Sequence, residues 1–138
     1  MIRIIATGSR YWRDEASIKD GLDLAARSVG VVDGSTDVTL VTGAQVSTES
    51  GEKFGADHLA ERVARRYGWE IERHPADWDT YGLSAGPRRN RQMVEAGADV
   101  CAAFLALGMP CLGTKGCMKL CMEASIPVLV IARKVMQP

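Results

Sequence analysis

What the sequence lacks first is an excess of charge of either sign. Its 138 residues carry 17 lysines and arginines against 17 aspartates and glutamates. Broad binding to nucleic acid or to an anionic membrane draws on surplus positive charge, so neither is expected, although a local basic pocket is compatible with neutrality. Nothing approaches the ~20 consecutive apolar residues of a membrane span. The opening MIRIIATGSR has too short an apolar run for a secretory signal and ends in a glycine turn, which points to a cytoplasmic protein. Histidine is scarce: His58 and His74 are the only two, and neither has triad or metal-ligand spacing. The four cysteines, Cys101, Cys111, Cys117 and Cys121, do not form the close pairs of a zinc site. Cys117 and Cys121, four apart, could share a helix face toward a metal, but the reading adopted is small apolar packing. No metal and no cofactor is expected. A nucleophile elbow, a Walker loop and an intact G-x-G-x-x-G are all missing, as are internal repeats and low-complexity segments.

What is there alternates. Residues 2–8 (IRIIATG), 37–43 (DVTLVTG) and 99–107 (DVCAAFLAL) read as buried strands. Residues 69–74 (WEIERH) alternate and read as a less buried strand, and 126–132 (IPVLVIA) as the last one. Between them, 14–29 has apolar or small residues at Ala16, Ile18, Leu22, Ala25, Ala26 and Val29, the stripe of an amphipathic helix. Residues 54–68 form a second helix closed by Gly68, 87–96 a third opened by Pro87, and 113–125 a fourth. Strands alternating with helices predict an α/β fold: a Rossmann-like three-layer sandwich, with a mainly parallel sheet of about five strands and helices on both faces. One domain is expected over 1–138. Residues 75–84 read as irregular. The polar connection 44–53 is long for a strand-to-helix loop, and either a lid or a functionless insertion would account for it.

Ligands of open parallel sheets bind at the carboxyl ends of the strands, near the point where strand order reverses. Here those ends run into TGSRYW, TGAQ and LGMPCLGTKG, each with glycines and hydroxyls or amides suited to phosphate. Thr114 follows Gly113 at a helix start, where it can cap, bind an anion, or both. The stretch AGPRRNRQM raises a sharper question. Arg88, Arg89 and Arg91 crowd the positive end of a helix, where cations are disfavoured. A phosphate or carboxylate held by that helix start together with Arg88 or Arg89 would offset both the dipole and the mutual repulsion. The competing account turns the arginines outward to surface acids such as Glu95. Trp12 and Trp78, in loops, could stack on a base or ribose, or close the end of the core. Asp57, Asp77, Glu49 and Glu52 are acids near the expected site, but no catalytic set is legible among them.

Several stretches together resemble a known family: GSRYWRD (8–14), GADHLAERVA (55–64), HPADWDTYGLSAGPRRNRQMV (74–94), GADVCAAFLALG (97–108), GT (113–114) and ASIPVLVI (124–131). They look like the YspA/cpYpsA-related branch of the SLOG superfamily, Rossmann-like domains related to LOG proteins and to the DNA-processing protein DprA. The resemblance implies a nucleotide or nucleotide-derived ligand at the strand ends, self-association into dimers or larger homo-oligomers, and a plausible phage origin. It puts Gly8, Ser9, Arg10, Trp12 and Asp14 on the family's first loop and Gly55, Ala56 and Asp57 on its Gly-Ala-Asp element. Arg89, Asn90 and Met93 fall on its Arg-Asn helix, and Gly113 and Thr114 on its phosphate-facing turn. With Thr42, Gly43, Trp78 and Arg88 from the strand-end argument, Gly8, Ser9, Arg10, Trp12, Gly55, Asp57, Arg89, Asn90, Gly113 and Thr114 make up the expected ligand site. LOG hydrolases resemble a pattern with glutamate soon after Gly-Thr, where this sequence has Lys115, Gly116 and Cys117. Nucleotide binding by a sensor, sequestering or accessory protein is therefore the first expectation. Hydrolysis of a glycosidic or phosphate linkage is the second, and a DNA-associated module the third.

Overall fold

A computed structural model of the chain describes residues 1–135. The chain runs through β1 (Ile2–Gly8), α1 (Glu15–Ser28), β2 (Val38–Thr42), β3 (Ser47–Glu49), β4 (Glu52–Phe54), α2 (Ala56–Tyr67) and β5 (Glu70–Arg73). It continues through α3 (Trp78–Tyr81), a 3-10 turn (Gly82–Ser84), α4 (Ala85–Glu95), β6 (Val100–Leu107), α5 (Leu112–Glu123) and β7 (Val128–Lys134). Five strands pair in parallel in the order β5-β2-β1-β6-β7. This is the expected α/β, Rossmann-like sandwich. The winding moves outward from β1 to β2 and β5, then returns to β6 on the other side of β1. The order therefore reverses between β1 and β6, where Gly8 lies beside Phe104.

Alternation along β1 builds both cores. Ile4 and Ala6 point to one face, packed with Ile18 and Leu22 of α1 and Leu59 and Val63 of α2. Ile5 points to the other, packed with Met93 and Val94 of α4 and Cys117 and Cys121 of α5. Cys101, Cys117 and Cys121 are fully buried there as small packing residues, and the described residues contain no cluster able to hold a metal ion. β5 is an edge strand and only half-buried, as its alternating sequence predicts. Gly68 ends α2 in the left-handed conformation, φ 72°, that glycine adopts without strain.

Four expectations change. Ala16 is exposed on α1 and Ser17 is buried instead, because the Ser17 hydroxyl accepts from Trp12 Nε1 at 3.0 Å and donates to Asp14 O at 2.9 Å. The polar connection 44–53 is no loop: β3 and β4 pair as an antiparallel hairpin around Ser50 and Gly51, both with positive φ (50° and 82°). Arg13 fastens that hairpin through ion pairs with Glu49 and Glu52 and lies 3.7 Å over the Phe54 ring. The stretch 75–84 is ordered as α3 and the 3-10 turn, with Asp77 Oδ1 accepting from Thr80 N as a cap. Finally, α4 begins at Ala85, so Pro87 is its third residue; proline still fits, because no donor is needed there.

Candidate functional site

A cleft of about 1140 Å³ opens at the carboxyl ends of β1, β2 and β6. Gly8, Ser9 and Arg10 line it from the first strand end, and Gly43 and Gln45 from the second. Asp57 borders it from the first turn of α2, Arg89 and Asn90 from α4, and Gly113 and Thr114 from the start of α5; Trp78 stands at the rim, 46% exposed.

Arg89 is the half-buried cation of this cleft. Its Nη1 donates to Gly43 O at 2.5 Å and its Nε to Asn90 Oδ1 at 2.9 Å, both neutral acceptors. The guanidinium lies so close over Gly43 that a Cβ there would overlap it. Arg88 points away, stacked 4.3 Å from the Tyr81 ring and donating to Ser84 Oγ. Arg91 is exposed beside the cleft. Among the described residues, none of the three has a carboxylate within 4 Å, so the alternative pairing of Arg91 with Glu95 is not formed.

Asn90 joins the two helix starts. It is buried, and its Nδ2 donates to Gly113 O at 3.2 Å while its Oδ1 receives Arg89. The opening of α4 and the Gly113–Thr114 corner therefore border one cleft. The Cys111 side chain makes no capping bond to α5, and a Cβ added at Gly113 or Gly116 would meet no neighbouring element within 4 Å. The first N–H groups of a helix lack intrahelical acceptors and carry partial positive charge, so this end is open to an anion.

Asp57 is the other ionisable group at the floor. It is buried, and its Oδ2 accepts from Gln45 N at 3.1 Å. Burial raises its carboxyl to about 7, against the opposing pull of the Gln45 N–H and the Arg89 charge. One turn further along α2 lies Glu61, which sequence reasoning missed. It is 3% exposed and accepts from Thr42 Oγ1 at 2.8 Å, Arg65 at 3.2 Å and Arg73 at 3.3 Å. The i, i+4 spacing of Asp57 and Glu61 was the available signal, since it puts two carboxylates on one helix face.

Four of the expected site residues do not line the cleft. Trp12 is 1% exposed in the core, edge-on to Phe104 with ring centroids 5.6 Å apart, and its indole N–H is satisfied by Ser17 and Asp14. Thr42 is fully buried and spends its hydroxyl on Glu61. Gly55, at φ 104°, lets the chain pass the Arg10 carbonyl. Arg88 is turned to Tyr81. Gly8 does line the cleft, but its lack of a Cβ is also required by Ala56 and Phe104, whose Cβ atoms would stand 2.7 Å from one.

A second polar cluster was also missed. Arg3 in β1 donates from both terminal nitrogens to Glu72 of β5, at 2.9 and 2.8 Å, and His74 Nε2 lies 2.7 Å from Glu72 Oε2. Arg3 and His74 hold the Glu72 carboxyl down at about 2. An arginine inside an apolar strand and an acid on the edge strand were the sequence signals.

Residues 2–81 match the family model described as YspA, cpYpsA-related SLOG family. The chain is also 38% identical over 136 residues to the Gene 61 protein of Mycobacterium phage D29, covering 94% of this chain and 95% of that protein. No helix among the described residues is long and apolar enough to cross a membrane.

Proposed function

Because the chain belongs to the YspA/cpYpsA-related SLOG family, Rossmann-like domains with nucleotide-related functions in general, we propose that it binds a nucleotide or nucleotide-derived ligand at the carboxyl edge of its sheet. One observation carries the reading: a half-buried guanidinium, Arg89, meets only neutral acceptors at the floor of the cleft, beside the uncapped start of α5. Even a half-buried cation without a counter-ion is unfavourable, and an anionic group supplied by a ligand relieves it. Trp78, half-exposed at the rim against Gly86, offers an aromatic face for a base. Thermal shift and calorimetry against mono-, di- and cyclic nucleotides, ADP-ribose and NAD test this. Binding is expected to fall at least tenfold in Arg89→Ala, the size of a lost charge-assisted contact. If no nucleotide outperforms inorganic phosphate and Arg89→Ala changes nothing, the reading is wrong.

The second reading is hydrolysis of a glycosidic or phosphate linkage in the same ligand. Asp57 favours it, since a buried carboxyl poised near neutrality is suited to general acid chemistry. Incubation with nucleotides followed by mass spectrometry separates the two, and turnover abolished in Asp57→Asn supports the enzyme. Homo-oligomerisation accompanies the family reading, and sedimentation velocity measures it.

A further inference from the structure

Asp57 and Arg89 face one cleft yet do not pair. The turn Gly43–Ala44–Gln45 stands between them: its first carbonyl accepts from Arg89 and its third N–H donates to Asp57. Ala44 takes a left-handed φ of 58° within that turn, a conformation that disfavours any side chain. The usual outcome for a buried acid and a nearby guanidinium is a salt bridge. Here the backbone holds them apart, and the second Asp57 oxygen makes no side-chain hydrogen bond among the described residues.

We propose that this split pair reads a phosphodiester or pyrophosphate group: Arg89 takes one anionic oxygen, and Asp57, carrying its proton, donates a hydrogen bond to a second oxygen of the same group. The inference rests on the nucleotide-binding reading of the cleft. One half-buried guanidinium balances one negative charge, which suits the single charge on each phosphate of a diester or pyrophosphate better than the two charges on the one phosphate of a monoester. A carboxyl can share the floor with such a group only while neutral; as a carboxylate it would repel the ligand oxygens. The groups facing Asp57 are Glu61 on its own helix, Arg89 from α4 and Cys117 from α5, with the Gln45 N–H from the turn; the exposed Arg10, Arg91, Lys119 and Glu123 also line the cleft. Burial outweighs Arg89 in this set, and the carboxyl keeps its proton up to about 7. Above that, the free site has lost the proton and each ligand bound must take one from solvent. Affinity then falls up to about tenfold per pH unit.

The test is calorimetry with cyclic AMP, ADP-ribose and NAD, whose phosphates do not titrate in the range used, from about pH 5.5 to about pH 8.5. Two buffers of different ionisation heat count the protons exchanged, and AMP serves as the monoester comparison. In the intact protein, the proposal expects affinity to fall about tenfold or more between pH 6.5 and 8.5, with roughly one proton taken up per ligand at the alkaline end. Asp57→Asn, which keeps a donor but cannot titrate, is expected to bind with a flat profile, and Arg89→Gln to lose binding at every pH. Binding that needs Arg89 but is independent of pH overturns the role of Asp57 and leaves the nucleotide reading standing. Tighter binding of AMP than of the diesters overturns the ligand class. Absence of binding by every nucleotide at every pH removes the reading on which the proposal rests.

Discussion

Replacing Asp57 with asparagine removes one titrating proton from the floor of the cleft and changes little else. Asparagine has nearly the same shape, and its Oδ1 can still accept the Gln45 N–H that Asp57 receives at 3.1 Å. The carboxyl sits at about 7 in the folded chain against an ordinary 3.8. A folded-state value raised above the unfolded one means that the folded chain keeps a proton that the unfolded chain releases. Stability is therefore greatest below pH 3.8, declines as pH rises through the window to 7, and is constant beyond it. The difference between about 7 and 3.8, at ~1.4 kcal/mol per pH unit, gives an upper figure of ~4 kcal/mol, and relaxation around the charged carboxylate reduces it to on the order of 2–4 kcal/mol. Asparagine is neutral throughout, so the stability of Asp57→Asn relative to the parent should grow by that amount between about pH 4 and about pH 8. Urea denaturation followed by circular dichroism at intervals across this range measures it, provided the slopes remain equal. Parallel stability curves for the two proteins would falsify the claim that Asp57 is neutral in the folded state, and the proton-linked recognition would fall with it.

Other substitutions probe separate parts of the structure. Gly43→Ala displaces the Arg89 guanidinium; nucleotide affinity should drop about tenfold by calorimetry, with stability lowered by no more than ~1–3 kcal/mol as for other overpacking changes. Trp12→Ala removes an indole from the core and leaves the Ser17 hydroxyl without the donor it accepts from, so unfolding free energy should fall by about 3–5 kcal/mol, a loss that urea titration resolves readily. Glu72 is held below its ordinary value by Arg3 and His74, so its stabilisation exists above pH 4.5 and is lost as pH falls toward 2. Glu72→Gln should thus be less stable at neutral pH by ~1 kcal/mol, solvent screening of this part-exposed pair included, and should converge with the parent in acid. Melting temperatures that differ equally at pH 7 and pH 2.5 would contradict that account.

The sheet was legible because its strands advertise themselves. Apolar runs such as 100–106 must be buried on both faces, and only a parallel sheet between helices does that. The hairpin was illegible for the same reason reversed: Ser47–Glu49 and Glu52–Phe54 carry almost no apolar pattern and are held by Arg13 and by Ser47 Oγ donating to the Arg10 carbonyl. Arg89 was singled out because cations crowding a helix start call for an anion, an argument that named Arg88 equally; Gly113 and Thr114 followed from a glycine and a hydroxyl after a strand end, and Asn90 from the family resemblance alone. Trp12 could not be assigned, since a loop tryptophan turns inward only if a polar partner waits there, and Ser17 looks like an ordinary helix residue. Glu61 was hidden among the polar positions of α2; its spacing from Asp57 and Arg65 marks one helix face, but nothing local in sequence announces that Thr42 and Arg73 converge on it.

The amide of Asn90 is committed at both ends, to Arg89 on its own helix and to the Gly113 carbonyl on the neighbouring one. It works as a fixed spacer that sets the gauge between the two jaws of the cleft before any guest arrives. Little motion is then left to quench on capture, so much of the entropic penalty of association has already been met in folding. A shortened or lengthened spacer would leave the socket intact in chemistry but wrong in width.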